Sequence, residues 1–279
     1  NLIMPHAAFY SIRGRRAFES EPDVAVHNVW WPYYGILGDY GRRLCWLFSD
    51  GEPVCGLGVF SDGDNLSWAA ASILLQEQQD FVFLDTPALR DARIEAGRLV
   101  AGSQKLKAIV VDTPGPVPDD AQRKLDDFAA AGGAVLWQWT AADLASLAAA
   151  AVGRDVEWQG ATPADLRVMH CRKAGCEFYF LFNEGGGVLD GQVRLAVMGS
   201  VARWDAFSGV VTPWPATPDA GRLQVPVRLD RHEAMILAVD PAGRPDPVAP
   251  PPPQPGPVVL AIADSAQVSD ARGQPVAVP

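Results

Sequence analysis

Groups able to do chemistry are densest in the first 31 residues. Tyr10, Arg13, Arg15, Arg16, Glu19, Glu21 and Asp23 crowd around Gly14 and Pro22 in the stretch AAFYSIRGRRAFESEPDV, and Trp30 and Trp31 follow shortly after. This is the composition of a functional loop rather than a bare turn. Aromatic faces stack on the apolar faces of sugar rings, while guanidinium and carboxylate groups bond hydroxyls, so the cluster suits a polyhydroxylated ligand. The same residues also suit a solvated face on which arginines simply pair with neighbouring carboxylates.

Elsewhere the chemical signals are sparser. Asp62, Asp64 and Asp112 follow apolar runs and suit either a phosphoacceptor or metal site, or the capping of the next helix. No GxGxxG or GxxxxGK follows a strand, and no Ser or Cys sits on a nucleophile elbow. Cys45, Cys55, Cys171 and Cys176 have no CxxC spacing, and with four scattered histidines no metal-site pattern emerges. Cys171 and Cys176 flank a hairpin turn, RKAG, across which they could pair in an oxidising compartment; buried free thiols are the plainer expectation. In WDAFSG, Trp204 ends a strand, either as an exposed sugar platform or as the plug of a core.

These residues must be positioned by the elements around them. Asn1 to His6 is an apolar run read as a strand, and Trp31 to Phe48 has the three-and-four spacing of an amphipathic helix at Ile36, Leu37, Tyr40, Leu44, Leu47 and Phe48. A strand delivering a polar loop into a helix is one βα unit, and in (β/α)8 barrels such loops carry the chemistry. Residues 1–51 are therefore read as the last βα unit of a barrel whose other strands lie outside this sequence. Over residues 52–155, strands at Val54–Phe60, Asp80–Leu84, Lys107–Val111 and Ala134–Trp139 alternate with helices at Trp68–Gln79, Pro118–Ala131 and Ala141–Ala151, the grammar of a parallel sheet covered on both faces. From 156 to 240 the runs are short and β-rich, and Leu223, Val225, Val227 and Leu229 alternate strictly, predicting an antiparallel β-sandwich. Residues 241–257 form a proline-rich linker, and 258–279 read as the start of a further β module.

Composition narrows the partners. The chain has 48% hydrophobic residues and a net charge of -10, which makes nucleic acid and anionic membrane surfaces poor partners. No apolar run approaches the roughly 20 residues of a membrane span, and no targeting peptide is recognisable. Composition sets no location: cytoplasm, periplasm and secretion are all consistent with it.

The segments NLIMPHAAFYSIRGRRAFESEPDVAVHNVWW, RRLCWLFSDGEPVCGLGVF and QEQQDFVFLD resemble the stretch after the catalytic barrel in large bacterial multidomain glycoside hydrolases of the α-L-rhamnosidase-like type, family 106. The segment DDAQRKLDDFAAAGGAVLW is similar to part of the amidotransferase-like trimerisation domain of family 42 β-galactosidases, which lacks a nucleophile. WDAFSG and RLQVPVRLDRHEAMILAV look like the sandwich strands of the same hydrolases. The resemblance implies a flavodoxin/amidotransferase-like parallel sheet domain followed by an antiparallel β-sandwich and preceded by a terminal (β/α)8-barrel βα unit. It implies a carbohydrate substrate and a homo-oligomer formed through the sheet domain; the residue pattern itself leads to an expectation of no cofactor and no metal. Glycoside hydrolysis needs two carboxyl groups about the scissile bond, and the resemblance places them on earlier barrel strands. His6, Tyr10, Arg13 and Arg16, with Trp30 and Trp31, would then line a sugar subsite. Glu19 is the local alternative for an acid, although a carboxylate beside three arginines stays ionised. A non-catalytic carbohydrate-binding or oligomerisation module is the second expectation.

Overall fold

The computed structural model describes Ile3, residues 28–62, residues 67–243, and the backbone of 268–269 and 275–276. The chain divides into two compact units, Asn1–Val248 and Ala249–Pro279.

In the larger unit a 3-10 turn at Trp31–Tyr33 leads into helix α1, Tyr34–Phe48. A two-residue strand, β1 (Glu52–Pro53), follows. The chain then builds the parallel layer: β2 (Leu57–Phe60), α2 (Ala69–Gln76), β3 (Val82–Leu84) and α3 (Thr86–Asp91). A three-stranded antiparallel meander comes next, β4 (Arg93–Glu95), β5 (Arg98–Ala101) and β6 (Gln104–Leu106). The layer closes with β7 (Ala108–Val111), α4 (Asp119–Ala130), β8 (Ala134–Leu136) and α5 (Leu144–Val152). Its four strands lie in the order β3-β2-β7-β8 and run parallel, the doubly wound arrangement with the first strand inside the second.

Alternation along the strands explains why both faces are covered. Leu57, Val59, Ala108 and Val110 point to one side, against Ala70 and Leu74 of α2 and Leu144 and Ala148 of α5. Phe60, Ile109 and Val111 point to the other, against Leu89 of α3 and Leu125 and Phe128 of α4. The meander adds Leu99 and Leu106 to that second core. Gly58 lets the centre pack closely, because a Cβ there would lie 2.7 Å from the Ile109 δ-methyl and displace it. Helix α4 starts behind Pro118 with Asp119 and Asp120 in its first turn, where carboxylates complement the helix dipole.

The remaining strands form the sandwich. They are β9 (Val156–Trp158), β10 (Leu166–Lys173), β11 (Cys176–Asn183), β12 (Leu189–Leu195), β13 (Ser200–Trp204), β14 (Val211–Pro213), β15 (Thr217–Asp219), β16 (Arg222–Leu229) and β17 (Ala234–Asp240). One antiparallel sheet has the order β1-β10-β11-β17-β13-β14 and the facing sheet β15-β16-β12-β9. Leu223, Val225, Val227 and Leu229 of β16 all face inward, as the strict alternation predicts, and meet Tyr179, Leu181, Leu237 and Val239 of the opposite sheet. At the β10–β11 hairpin, Ala174 and Gly175 both take positive φ, 51° and 79°, the twist a two-residue hairpin turn needs. All four cysteines are free thiols.

Two elements that precede the parallel layer in sequence belong to the sandwich in space. β1 extends the six-stranded sheet beside β10. Helix α1 lies on that sheet's outer face, where Leu44, Leu47 and Phe48 cover Cys171, Phe178, Ile236 and Ala238. Among the described residues this packing is made by the helix's C-terminal turns; Leu37, one of the apolar positions of the expected amphipathic face, is 58% exposed. Lys173 reaches the α1 C-terminus and donates to the carbonyls of Trp46 and Ser49, satisfying acceptors the helix cannot. The parallel sheet and the sandwich expected from the sequence are thus both present, and among the described residues no barrel closes. Also among them, no helix is long and apolar enough to cross a membrane.

The expected linker at 241–257 and the further module at 258–279 lie almost wholly outside the described residues. In the second unit, β18 (Val268–Ser269) pairs antiparallel with β19 (Pro275–Val276).

Because Leu47 is buried between α1 and the sheet, Leu47→Ala is expected to cost about 2–4 kcal/mol, the lost transfer term plus a cavity. Urea unfolding measures this. A loss below about 0.5 kcal/mol, the size of an ordinary surface substitution, would show that α1 is not docked here.

Candidate functional site

His6, Tyr10, Arg13, Arg16 and Glu19 lie outside the described residues. Trp30 and Trp31 are described and exposed at the start of α1, where the Trp31 ring stacks on Tyr34 with centroids 5.2 Å apart. Ile3, from the expected strand, approaches the same helix: its δ-methyl would be 3.3 Å from a Cβ placed on Gly41.

Further along α1 the aromatic surface continues onto the sandwich. Trp46 stacks on Trp204 at 6.0 Å and 19°, and Phe178 meets Trp204 edge-on at 4.9 Å. The Lys173 ammonium sits 4.3 Å from the centre of the Trp46 ring. Beside these indoles runs a depression of about 490 Å³, walled by Arg42, Arg43, Asp205, Val210 and Val211 as well. Trp204 is therefore neither a free platform nor a plug between the sheets; it is half-buried on the outer face, under α1. Its Nε1 is buried and has no hydrogen-bond partner.

The rim is fixed by hydrogen bonds. Arg43 Nη1 donates to the carbonyls of Ala206 at 2.9 Å and Phe207 at 2.8 Å. Gly209, at φ +77°, makes room for this, since a Cβ there would lie 2.9 Å from the Arg43 guanidinium. Asp205 accepts from the Phe207 amide at 2.8 Å and the Ser208 hydroxyl at 2.8 Å. Burial opposes the ionisation of Asp205, but the bonds from Ser208 and Phe207 and the Arg203 charge outweigh it and hold the carboxyl below its usual range. Such a group does not donate protons near neutrality. The trough presents indole ring faces and guanidinium groups, and Asp205, as it is held here, is no proton donor to it.

The C-terminal edge of the parallel sheet, where open α/β sheets bind ligands, is occupied by structural bonds. Asp112 is buried, and its Oδ2 accepts from the Ala70 amide at 2.8 Å, capping α2. Asp85 caps α3 through the Ala88 amide at 2.8 Å. Ser61 Oγ accepts from the Ser67 amide at 3.0 Å. Asp64 lies outside the described residues. Among the described residues, no group of three or more His, Cys, Asp or Glu side chains is placed to hold a metal ion.

Sequence reasoning missed a polar cluster at the opposite edge of this layer, where it meets the sandwich. His170 is buried, with Nδ1 2.7 Å from Asp155 Oδ2 and Nε2 2.9 Å from Glu177 Oε2. Its ring stacks on Tyr179 at 4.0 Å, and the Tyr179 hydroxyl donates to Asp155 at 3.3 Å. Burial and the carboxylates of Asp155 and Glu177 push the Tyr179 hydroxyl up. Burial first, then the charge of Asp80, pushes the Cys55 thiol up to about 12, so this cysteine is no nucleophile. Burial, aided by the Asp155 charge and opposed by backbone hydrogen bonds from Phe81 and His170, raises Asp80 to about 6. The available signal was a polar break in period two: His170, Glu177 and Tyr179 follow the inward-facing register of Leu166 and Leu181.

No family model matches this chain, and no curated protein matches it in sequence. Among solved structures it is similar to a rhamnosidase from Novosphingobium sp. PP1Y, with TM-score 0.60 and 20% identity, over 79% of this chain and 26% of that one. It is also similar to alpha-L-fucosidase isoenzyme 2 from Paenibacillus thiaminolyticus, with TM-score 0.50 and 10% identity, over 75% of this chain and 52% of that one. A GH42 beta-galactosidase from G. stearothermophilus aligns with TM-score 0.47 and 7% identity, over 75% of this chain and 43% of that one. The chain thus spans about a quarter of the rhamnosidase and half of the fucosidase. These neighbours are glycoside hydrolases, and the likeness is one of fold.

The raised Asp80 carboxyl makes a pH prediction. Its folded value, about 6, exceeds the ordinary 3.8, so the folded state binds this proton more tightly and loses stability as pH rises between those values. Asp80→Asn removes that loss. The variant is expected to gain about 1–3 kcal/mol on the parent between pH 4 and pH 7 in urea unfolding. A difference that does not change with pH contradicts the assignment.

Proposed function

We propose that this chain is the accessory part of a glycoside hydrolase, with hydrolysis of O-glycosidic bonds belonging to the parent protein. In this reading residues 1–51 are the last βα unit of the catalytic (β/α)8 barrel, 52–155 an amidotransferase-like sheet domain that mediates self-association, and 156–240 a β-sandwich. His6, Tyr10, Arg13, Arg16, Trp30 and Trp31 form part of the sugar-binding rim. The observation that carries the reading is the likeness of fold to the rhamnosidase over 79% of this chain.

The chemistry agrees with an accessory role. Hydrolysis of a glycoside needs one carboxyl that donates a proton and a second that attacks or activates water. Four of the buried or partly buried carboxylates have other duties. Asp112 caps a helix, Asp205 closes a turn, and Asp155 and Glu177 are bound to His170. The catalytic pair is accordingly assigned to the rest of the parent chain. The Trp46–Trp204 trough favours a second, compatible reading, in which this region holds carbohydrate without cleaving it.

The chain alone is expected to release no nitrophenol from aryl rhamnosides, fucosides or galactosides, while the parent protein does so from at least one. Turnover by the isolated chain would overturn the accessory role. A parent protein inactive on every glycoside tested would overturn the hydrolase reading itself.

A further inference from the structure

At the seam between the parallel layer and the sandwich lies a cleft of about 560 Å³. Six cationic side chains face it: Arg98, Lys105, Lys107, Arg154, Arg172 and Arg222. The carboxylates on its wall are Glu52, Asp80 and Asp155. This excess of positive charge is local and runs against the chain's net charge of -10. It is assembled from the meander, the end of α5, β10 and β16, so the fold brings it together and no run of basic residues announces it.

Part of that charge is uncompensated. Arg154 pairs with Glu77 at 3.3 Å, Arg172 with Glu177 at 2.8 Å, and Arg222 reaches Glu157 at 3.4 Å. Asp155 is taken by His170. Arg98, Lys105 and Lys107 have no ion pair among the described residues, and the buried Nη1 of Arg222 has no hydrogen-bond partner. Two buried acceptors on the same wall are also unpartnered, Gln79 Oε1 and Gln104 Oε1. A buried polar atom left unpaired costs free energy, which a ligand in the cleft recovers once the side chain turns its polar end outward. The cations call for acidic oxygens, which guanidinium groups bind in bidentate fashion. The two amide carbonyls call for hydroxyl donors.

A ligand that is both acidic and hydroxylated meets both demands. We propose that this cleft binds an acidic oligosaccharide, its carboxylate or sulfate groups against Arg98, Lys105, Lys107 and Arg222 and its hydroxyls against Gln79 and Gln104. The acidic and hydroxylated character comes from the cleft; that the ligand is a saccharide rests on the hydrolase reading above. No aromatic side chain lines the wall, so nucleic acid bases have nothing to stack on.

The test is isothermal titration calorimetry on the whole chain at low ionic strength, with a uronic acid tetramer, a sulfated oligosaccharide, a neutral glucose tetramer, sodium sulfate and oligothymidylate. At least one acidic oligosaccharide is expected to bind with one-to-one stoichiometry, more weakly as salt screens the charges. Which of the two binds more tightly identifies carboxylate or sulfate as the recognised group. The double variant Lys105→Gln, Lys107→Gln changes two exposed residues and is expected to keep the parent's melting temperature while binding roughly tenfold more weakly. Arg98→Gln is expected to act in the same direction. Binding of neither acidic oligosaccharide, equal affinity for the neutral tetramer, sulfate binding alone, equal affinity for oligothymidylate, or variants that bind like the parent would each overturn the site. Failure here is distinguishable from failure of the hydrolase reading: glycoside turnover by the parent protein is unaffected by an empty cleft, and binding stays measurable if the parent turns over nothing.

Discussion

His170 stands with its two ring nitrogens 2.7 and 2.9 Å from the carboxylates of Asp155 and Glu177, buried and stacked on Tyr179. Its backbone carbonyl accepts the Val54 amide at 2.9 Å. One residue therefore holds both the point where the chain leaves the sandwich for the parallel layer, at Val54, and the point where it returns, at Asp155. Buried polar groups are tolerated only when hydrogen-bonded, so this bridge fixes its partners' positions and cannot be loosened piecemeal. The parallel layer is inserted between β1 and β9 of a single sandwich, and its orientation follows from that clamp.

Everything placed near the seam inherits the constraint. Gln78 donates from its side-chain amide to the carbonyls of Pro163 at 3.0 Å and Leu166 at 3.1 Å, and Arg154 reaches back to Glu77. Arg172 and Arg222 are turned toward the cleft by strands whose other side chains fill the sandwich. The meander brings Arg98 and Lys105 from the other layer. On the far face of the same sheet, α1 is held by Leu47, by Lys173 at its C-terminus and by Arg43. The trough and the cleft are thus both carried on helices and strands held by these contacts.

Much of this architecture was legible in the amino-acid order. The alternation of Leu223, Val225, Val227 and Leu229 gave an inward face directly, and Pro118, Asp119, Asp120, Gly132 and Gly133 bracketed α4. The meander carries little periodic signal, because its strands are three or four residues long and four of their ten residues are charged, and their stability comes from Leu99 and Leu106 packing under α3 and α4. Its turn at Ala96 and Gly97, both at positive φ, was the signal present. Periodicity showed that α1 has a buried face, but periodicity does not say what covers it. The seam was illegible for a different reason: residues 55, 80, 155, 170 and 177 are distant in sequence, and each looks ordinary alone. Only the tertiary fold makes Asp80 a raised acid and Cys55 an inert thiol.

On the proposed reading, this region recognises carbohydrate and leaves the cutting to another part of its parent. The most direct test is to incubate the chain with a mixture of acidic oligosaccharides, separate the protein-bound fraction, and determine its chain lengths and reducing ends. On that reading oligomers are retained and recovered at their original lengths. Shortened products with new reducing ends, or no retention at all, would contradict it.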